Sequence, residues 1–353
     1  MDKAKIYQTI EYLSNMHGVS GFESSIADAV CTLFKPYVDE ISIDALGSVI
    51  ACKKSKKKNA KKIMLDAHMD EIGLMVTKID DKGFLKFTNI GGIDERILPS
   101  SEVIVHAKRD ILGIIGIKPP HLQSAEESKK TIKPDELAID IGMDKEAASK
   151  LVEVGDVVTF NQKACQLLNS QMTGKSFDDR ASICALLYTA EKLSSLELDV
   201  DVYFVLSTFE ETNLAGAKCS AYTIAPDCAL VIDVTHAKTP DNSECSFDVG
   251  GGVAYSLGPN VHTPLAKLIK SIAEKNNIDA RAEVDGASTG TNAWSVQISR
   301  TGVATAVLSL PLKYMHTPTE VVSVNDVMCA GELGYEFVCA LNSDSSIIET
   351  TTL

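Results

Sequence analysis

The sequence predicts an α/β protein in which a mostly parallel sheet flanked by helices is interrupted by a small inserted β domain. From about residue 165 onward, apolar strands alternate with helical segments, which is the pattern of a parallel sheet covered on both faces. Between about 71 and 165, short β-branched runs are separated by turn sequences, which is typical of a small barrel or sandwich. The chain has 353 residues, enough for about two domains. We therefore expect an α/β domain formed by 1–70 and 166–353 and a β domain formed by 71–165.

The first 70 residues predict two helices followed by two strands. Apolar residues recur at helical spacing in the first segment, at Ile6, Ile10, Leu13 and Met16. The second helix, SSIADAVCTLFKPYV, has Ser24 or Ser25 as its N-cap. The strands ISIDALGSVIACKK and KKIMLDAH are joined by the lysine-rich stretch KKSKKKNAKK. We interpret that stretch as a solvated loop, and nucleic-acid binding is the alternative.

The remaining elements follow from the same patterns. The β domain is predicted from the runs GLMVTKI, GFLKFTNI, EVIVHAK, ILGIIGI and DVVTF. The second part of the α/β domain begins with the helix DDRASICALLYTAEKLSS and continues with the strands DVYFVLSTF and CALVIDV. A helix near 263–276, the strand VATAVLSLPL and a last helix near 323–341 complete the prediction.

Composition excludes several classes of protein. Lys and Arg number 34 and Asp and Glu number 48, which gives a net charge of −14. Such a chain repels polyanions, so we expect neither a general nucleic-acid binder nor a protein of anionic membrane surfaces. No apolar run approaches the roughly 20 residues that span a bilayer, and the first residues have no apolar signal-peptide core. We expect a cytoplasmic protein.

The nine cysteines lie singly along the chain, and none forms a CxxC pair. Most lie in apolar segments such as SICALLY and FVCALN. We expect reduced, buried thiols in a reducing compartment rather than a disulfide framework or a zinc ribbon.

Carboxylates and histidines follow the predicted strands of the α/β domain. Because function collects beyond the carboxyl ends of the strands in an open α/β sheet, we listed the residues found there. They are His68 and Asp70 after KKIML, Glu210 and Glu211 after DVYFVLSTF, Asp233 after CALVI, and His316 after VATAVLSLPLKYM. Each residue alone also has an ordinary structural explanation, but four strands that end in this way predict one site.

The chemistry of these residues is that of a metal centre. His68 and Asp70 form an H-x-D unit, in which a carboxylate orients a metal-binding imidazole. The pair Asp178 and Asp179 begins a helix, where it is either an N-cap with a first-turn acid or a source of a carboxylate that bridges two cations. Glu210 and Glu211 repel each other unless a cation or a shared proton lies nearby, so one can be a ligand and the other a general base.

Two histidines and three carboxylates are enough for two metals that share one carboxylate. Nitrogen and oxygen donors without thiolate are typical of zinc, cobalt or manganese. No G-x-G-x-x-G, GxxxxGK[ST] or GxSxG motif is present, so nucleotide binding and a serine hydrolase have little support.

The chain resembles the dinuclear metallo-aminopeptidases that include the tetrahedral and glutamyl aminopeptidases and some proteins labelled endoglucanase. The resemblance runs through nearly the whole chain, and its motifs are specific in their combination and order. They are GVSGFE, DALGSVIA, MLDAHMDEIGLMV, GGID, IKPPH, GKSFDDRAS, STFEETNLAGAK, IDVTHAKTPD, GTNAWSVQ and MHTPTEVV.

The resemblance implies a peptidase-like α/β domain interrupted by a PDZ-like β domain that makes dimer contacts, with dimers assembling into tetrahedral dodecamers. It implies two divalent metal ions per subunit, zinc or cobalt before manganese. Asp178 would bridge the metals, typically with a cis peptide to Asp179, and Glu210 would be the general base. The other ligands would be His68 and Asp233 at one metal and Glu211 and His316 at the other, with Asp70 orienting His68. Family members often have Asp where this chain has Asn292.

The function implied is removal of N-terminal residues from short peptides. Two other classes remain open at this stage. A glycosidase also uses paired carboxylates, although it does not need the two histidines. A catalytically inactive metal-binding or scaffold protein is the third possibility, and the complete ligand set argues against it. The preferred N-terminal residue does not follow from the sequence.

Overall fold

The structure is a computed structural model that describes residues 1–122, 124, 134–242 and 247–349. Its helices are α1 (Lys3–Ser14), α2 (Ser24–Phe34), α3 (Lys145–Leu151), α4 (Phe177–Leu193), α5 (Glu210–Asn213), α6 (Ala215–Ile224), α7 (Thr263–Asn276), α8 (Ala293–Val296) and α9 (Val324–Ser343). Its strands are β1 (Glu40–Ile43), β2 (Val49–Lys53), β3 (Lys62–His68), β4 (Gly73–Ile79), β5 (Leu85–Ile90), β6 (Glu102–His106), β7 (Asp110–Ile115), β8 (Ile139–Asp140), β9 (Val157–Phe160), β10 (Cys165–Gln166), β11 (Gln171–Gly174), β12 (Asp201–Ser207), β13 (Cys228–His236), β14 (Val253–Leu257), β15 (Ala280–Val284), β16 (Ala304–Leu312) and β17 (Glu320–Ser323).

A large mixed sheet forms the centre of the molecule. Its eight strands follow the order β1-β2-β12-β3-β13-β16-β14-β15, and the central four run parallel to one another. Successive residues of β3 point to opposite faces. Ile63 and Leu65 pack in the core formed with α1, α4 and α9, whereas Met64 packs in the core on the side of α6. Helices therefore cover both faces, and the predicted α/β fold class is confirmed.

The inserted β domain is a closed barrel with its own core. Its six strands follow the order β4-β5-β8-β7-β6-β9. Buried and exposed residues alternate along β7, where Ile111 and Ile115 face inward and Leu112 and Ile114 face outward. The barrel lies between β3 and β10 in the chain and has a separate apolar cluster. The inserted barrel is as predicted, while the domain limits at residues 71 and 165 stay a prediction.

Two parts of the α/β domain differ from the prediction. The segment ISIDALGSVIACKK is two antiparallel strands, β1 and β2, rather than one. The Asp44 carboxylate accepts hydrogen bonds from the backbone N–H groups of Leu46 and Ser48, and Gly47 has a φ of +92°, so this segment turns. The second difference is that β14, β15 and α8 were not predicted, since their segments are short and weakly periodic.

The expectation of buried thiols holds for only some cysteines. The eight described cysteines are all free, and Cys52, Cys184 and Cys228 are buried. Burial is wrong for Cys165 and Cys219, which are exposed because they lie on the short strand β10 and on α6. Cys245 lies outside the described residues. No helix in the described ranges is both long enough and apolar enough to cross a membrane.

Candidate metal centre

The register of the parallel strands brings the predicted site residues to one edge of the sheet. Ser207 of β12 pairs with His68 of β3, so Glu210 and Asp70 follow neighbouring strand ends. Val231 of β13 pairs with Asp66 of β3, which places Asp233 level with His68. Strand ends that meet in this way are the usual position of a site in an open α/β sheet.

Asp178 lies between the two histidines at the start of α4. Its Oδ1 is 3.0 Å from Nε2 of His68, and its Oδ2 is 3.2 Å from Nε2 of His316. The same His316 nitrogen is 3.3 Å from Oε2 of Glu211. The peptide bond between Asp178 and Asp179 is cis. One carboxylate therefore contacts both imidazoles, one with each oxygen.

Two groups of potential ligand atoms share this carboxylate. His68, Asp178 and Asp233 form one group, and Asp178, Glu211 and His316 form the other; within each, the ligand atoms lie within 4.8 Å of one another. His68 and the three carboxylate side chains are nearly completely buried, while His316 is 34% exposed. All five sequence-predicted ligand residues are thus brought together.

Asp70 and Glu210 complete the predicted set. Nδ1 of His68 lies 3.2 Å from the backbone carbonyl oxygen of Asp70 and 3.5 Å from its Oδ1. The Asp70 carboxylate also accepts hydrogen bonds from the backbone N–H groups of Glu210 at 3.0 Å and Glu211 at 3.1 Å. Glu210 has its Oε2 3.8 Å from Nε2 of His68. Asp70 therefore fixes both the imidazole and the first turn of α5.

The electrostatics of the site show a shortage of positive charge. Burial raises the pKa of Glu210 to about 9, and the negative charges of Asp233 and Asp178 add to this effect. Burial also raises the pKa of Asp233 to about 7 and that of Glu211 well above its usual range. Burial opposes the ionisation of Asp178 as well, but hydrogen bonds with His316 and His68 lower its pKa. The carboxylates can all be ionised only if cations lie among them.

The donor set fits two divalent cations. Each group offers one imidazole and two carboxylates, with Asp178 common to both. Buried carboxylates that repel one another are stabilised by bound cations, which are the largest local charges in such sites. Nitrogen and oxygen donors without thiolate are those of zinc, cobalt or manganese sites that carry out chemistry rather than of structural zinc knots.

An open cavity lies directly over these residues. Asp178, Glu210, Glu211, Asp233 and His316 line it, and its volume is about 590 Å³. A cavity of this size accommodates a short peptide end or another small molecule. The candidate centre is therefore accessible from solvent through a defined pocket.

Glu320 is a site residue that the sequence reasoning did not identify. Its Oε2 accepts hydrogen bonds from the backbone N–H groups of Phe177 at 2.7 Å and Asp178 at 3.2 Å. Its Oε1 accepts a hydrogen bond at 3.0 Å from the backbone N–H of His316, whose φ of +62° is strained for this residue type. A single buried carboxylate thus fixes the backbone of two predicted ligands. The only signal in the sequence was its place in the MHTPTEVV motif.

A second missed group holds the chain around Asp178. Arg180 is fully buried, and its guanidinium donates to the backbone carbonyl oxygens of Leu13 and Met16 and to the carboxylate of Glu71. Nζ of Lys175 donates to the other oxygen of Glu71 at 2.6 Å. These three residues form the Glu71 network, which connects α4 with α1 and with the start of the barrel.

Asn292 has a structural role beneath the site. Its Nδ2 donates at 2.9 Å to Oδ2 of Asp66 and at 2.9 Å to Oγ of Ser207, and it is 1% exposed. Burial raises the pKa of Asp66 to about 7. The amide therefore provides a donor to a buried carboxyl group that lies under the strand ends, without contacting the candidate ligands.

Comparisons with known proteins agree with this arrangement. A family model described as M42 glutamyl aminopeptidase matches residues 47–333. The lysyl aminopeptidase of Pyrococcus furiosus is 36% identical over 316 residues, which cover 88% of this chain and 90% of that protein. A solved aminopeptidase from the archaeon Desulfurococcus kamchatkensis has a TM-score of 0.91 at 36% identity, covering 99% of this chain and 98% of that one.

A further solved structure extends the comparison to large assemblies. The TET1 peptidase of Pyrococcus horikoshii has a TM-score of 0.83 at 32% identity, and the match covers 94% of this chain and 99% of that one. That protein is described as able to assemble into a tetrahedron or a large octahedral shell. The matched family model spans most of the sequence and includes every candidate site residue. The chain therefore belongs to the M42 glutamyl aminopeptidase family and is a hydrolase of the aminopeptidase class.

Proposed function

We propose that this aminopeptidase uses two divalent metal ions per subunit and a glutamate general base to remove N-terminal residues from short peptides. The observation that carries the proposal is the pair of ligand groups that share Asp178. His68 and Asp233 would hold one ion, Glu211 and His316 the other, and Asp178 both. Zinc and cobalt suit this donor set best, and manganese is compatible with it.

The bound ions would supply Lewis-acid activation of the scissile carbonyl and of the attacking water. Glu210 is the proposed base because its side chain reaches the centre, with its Oε2 3.8 Å from the proposed ligand His68. It would take a proton from the attacking water and later deliver that proton to the leaving amine. Cations at the centre would favour the ionised form of Glu210, which can accept the proton.

Asp70 is proposed as a positioning residue. It contacts the His68 ring on the side away from Asp178, and it accepts hydrogen bonds from the backbone of Glu210 and Glu211. Partners of this kind fix the orientation of a metal-binding imidazole and raise its basicity. In this scheme Asp70 keeps the base and two ligands in register without touching the substrate.

We also propose that the chain divides into a catalytic domain of 1–70 and 166–353 and a dimerising barrel domain of 71–165. Apolar side chains on β7 and the segment after it are exposed on the barrel; they are Leu112, Ile114, Ile117 and Leu122. Contiguous exposed apolar surface is typical of association sites. Dimers formed there would assemble into a tetrahedral dodecamer.

The decisive experiment is a panel of aminoacyl chromogenic substrates assayed before and after chelation. We expect hydrolysis of at least one substrate, its loss on chelation, and its recovery with zinc, cobalt or manganese. Activity on glycosides that survives chelation would instead favour paired-carboxylate glycosidase chemistry. Calorimetry that detects no divalent metal binding would favour an inactive scaffold.

A further inference from the structure

The cavity continues from the candidate metal centre across the sheet to a second group of polar residues. Besides the centre, Ser256, Ser309, Glu283 and Asp285 line it. We infer that this extension is a subsite for the side chain of the substrate's N-terminal residue, and that it selects lysine or arginine. The inference rests on the proposed function and adds the substrate class.

The position of Glu283 fits a side-chain subsite. Its Oε1 accepts a hydrogen bond at 2.5 Å from Oγ1 of Thr235, which reaches it from β13. Thr235 follows Asp233 by two residues on that strand, and both line the cavity. Two residues of a strand span about 6.6 Å, a distance that the four-carbon stem of lysine can bridge. A substrate held by its amino end at the centre can therefore place a cationic head beside Glu283.

Two hydroxyl groups in the same extension lack partners. Ser256 is 2% exposed and Ser309 is 3% exposed, and both line the cavity. No side-chain hydrogen bond joins either hydroxyl to any of the described residues. Buried polar groups in native proteins are normally hydrogen-bonded, so two unpartnered hydroxyls beside a cavity indicate that a polar ligand group meets them.

The charge of the cavity points to a cation. Six carboxylates line it, while its described lining contains neither lysine nor arginine; the acids are Asp178, Glu210, Glu211, Asp233, Glu283 and Asp285. Two divalent ions would offset four negative charges at the centre and would leave the subsite anionic. Neither Glu283 nor Asp285 forms a salt bridge within the described part of the chain. Burial raises the pKa of Glu283, and the charge of Asp285 adds to that effect, so a nearby cation would stabilise its ionised form.

Other N-terminal residues fit this subsite less well. An acidic side chain would be repelled by Glu283 and Asp285. An apolar one would leave two carboxylates and two hydroxyls without partners after displacing water, which is costly. A lysyl ammonium has three donors and no acceptor, and it can be satisfied by one carboxylate and both hydroxyls. The arginyl fork can do the same with both carboxylates.

The test compares lysyl and norleucyl p-nitroanilides, which share the same stem and differ in the ammonium group. For the metal-loaded wild-type protein we expect kcat/KM to be at least about tenfold higher for the lysyl substrate. Glu283→Gln and Asp285→Asn should each lower the lysyl value several-fold and leave the norleucyl value unchanged. Glu283→Lys should invert the preference toward glutamyl p-nitroanilide. Glu146→Gln removes a charge at an 84% exposed position of the barrel and is the matched control.

A binding measurement gives a second readout. Calorimetric titration with L-lysine and L-norleucine should show tighter binding of lysine to the wild-type protein, and Glu283→Gln should abolish that difference. Equal norleucyl and lysyl rates that Glu283→Gln does not alter would overturn the subsite while leaving the aminopeptidase intact. Absence of hydrolysis of every aminoacyl substrate would instead overturn the proposed function. A variant that has lost the norleucyl activity as well has a damaged fold, and Asp285→Asn then decides.

Discussion

At the scale of single residues, Glu210 is the side chain whose proposed role is most open to a direct test. It is 11% exposed at the cavity, and its backbone is fixed by the carboxylate of Asp70. Asp178 differs from it in both position and contacts, since its two oxygens approach different imidazoles. The two acids should therefore fail in different ways when they are made neutral.

We predict that Glu210→Gln keeps metal bound and loses most of its turnover. The amide has nearly the same shape as the carboxylate but cannot accept the proton of the attacking water, so kcat should fall by about 10²–10⁴-fold. Steady-state assays with a cleaved aminoacyl p-nitroanilide, together with elemental analysis, measure both quantities. Asp178→Asn is the contrasting variant, and it should lower the occupancy of both metals. Near wild-type turnover in Glu210→Gln would mean that the assigned base is wrong.

At the scale of elements, the strand ends could be predicted from sequence because each ends an apolar run with a polar residue. His68, Asp233 and Glu210 follow this rule, and parallel pairing then places them together. Glu320 and Asn292 could not be identified in this way. Their roles depend on hydrogen bonds to backbone or buried groups that are distant in sequence, and no local pattern indicates such bonds.

The same explanation applies to the elements that differed from the prediction. The hairpin of β1 and β2 depends on the Asp44 turn, which a continuous β-branched pattern conceals. Strand β15 carries Glu283, but its residues are partly exposed and its apolar pattern is weak. The proposed subsite was therefore out of reach from the sequence, even though the metal centre was not.

The Glu71 network supports a prediction at this scale. We expect Glu71→Ala to destabilise the protein by about 3–5 kcal/mol, because it leaves the fully buried Arg180 and the nearly buried Lys175 without their carboxylate. The shift in the urea unfolding midpoint measures this effect. Glu146→Ala, which breaks the exposed ion pair with Lys150, is the matched control and should change stability by less than about 1 kcal/mol. Equal effects of the two substitutions would contradict a structural role for the network.

At the scale of the whole molecule, the barrel is joined to the sheet at one place and keeps a core of its own. The chain enters it directly after Asp70 and Glu71, and Val19 pairs with Glu71 at this junction. The apolar cluster of the barrel is separate from those of the sheet. A change on the outer surface of the barrel should therefore alter assembly without altering the metal centre.

We predict that Leu112→Glu reduces the size of the assembly and preserves the fold of each subunit. Leu112 is 55% exposed on β7 beside Ile114, so its substitution costs no core packing but puts charge into the proposed dimer contact. Multi-angle light scattering should find a mass of twelve chains for the wild-type protein and a smaller species for the variant. Leu168→Glu, at an 87% exposed position before β11, is the control and should leave the mass unchanged. A variant that keeps the wild-type mass would show that this face of the barrel takes no part in assembly, and the dimer contact would then have to lie on another surface.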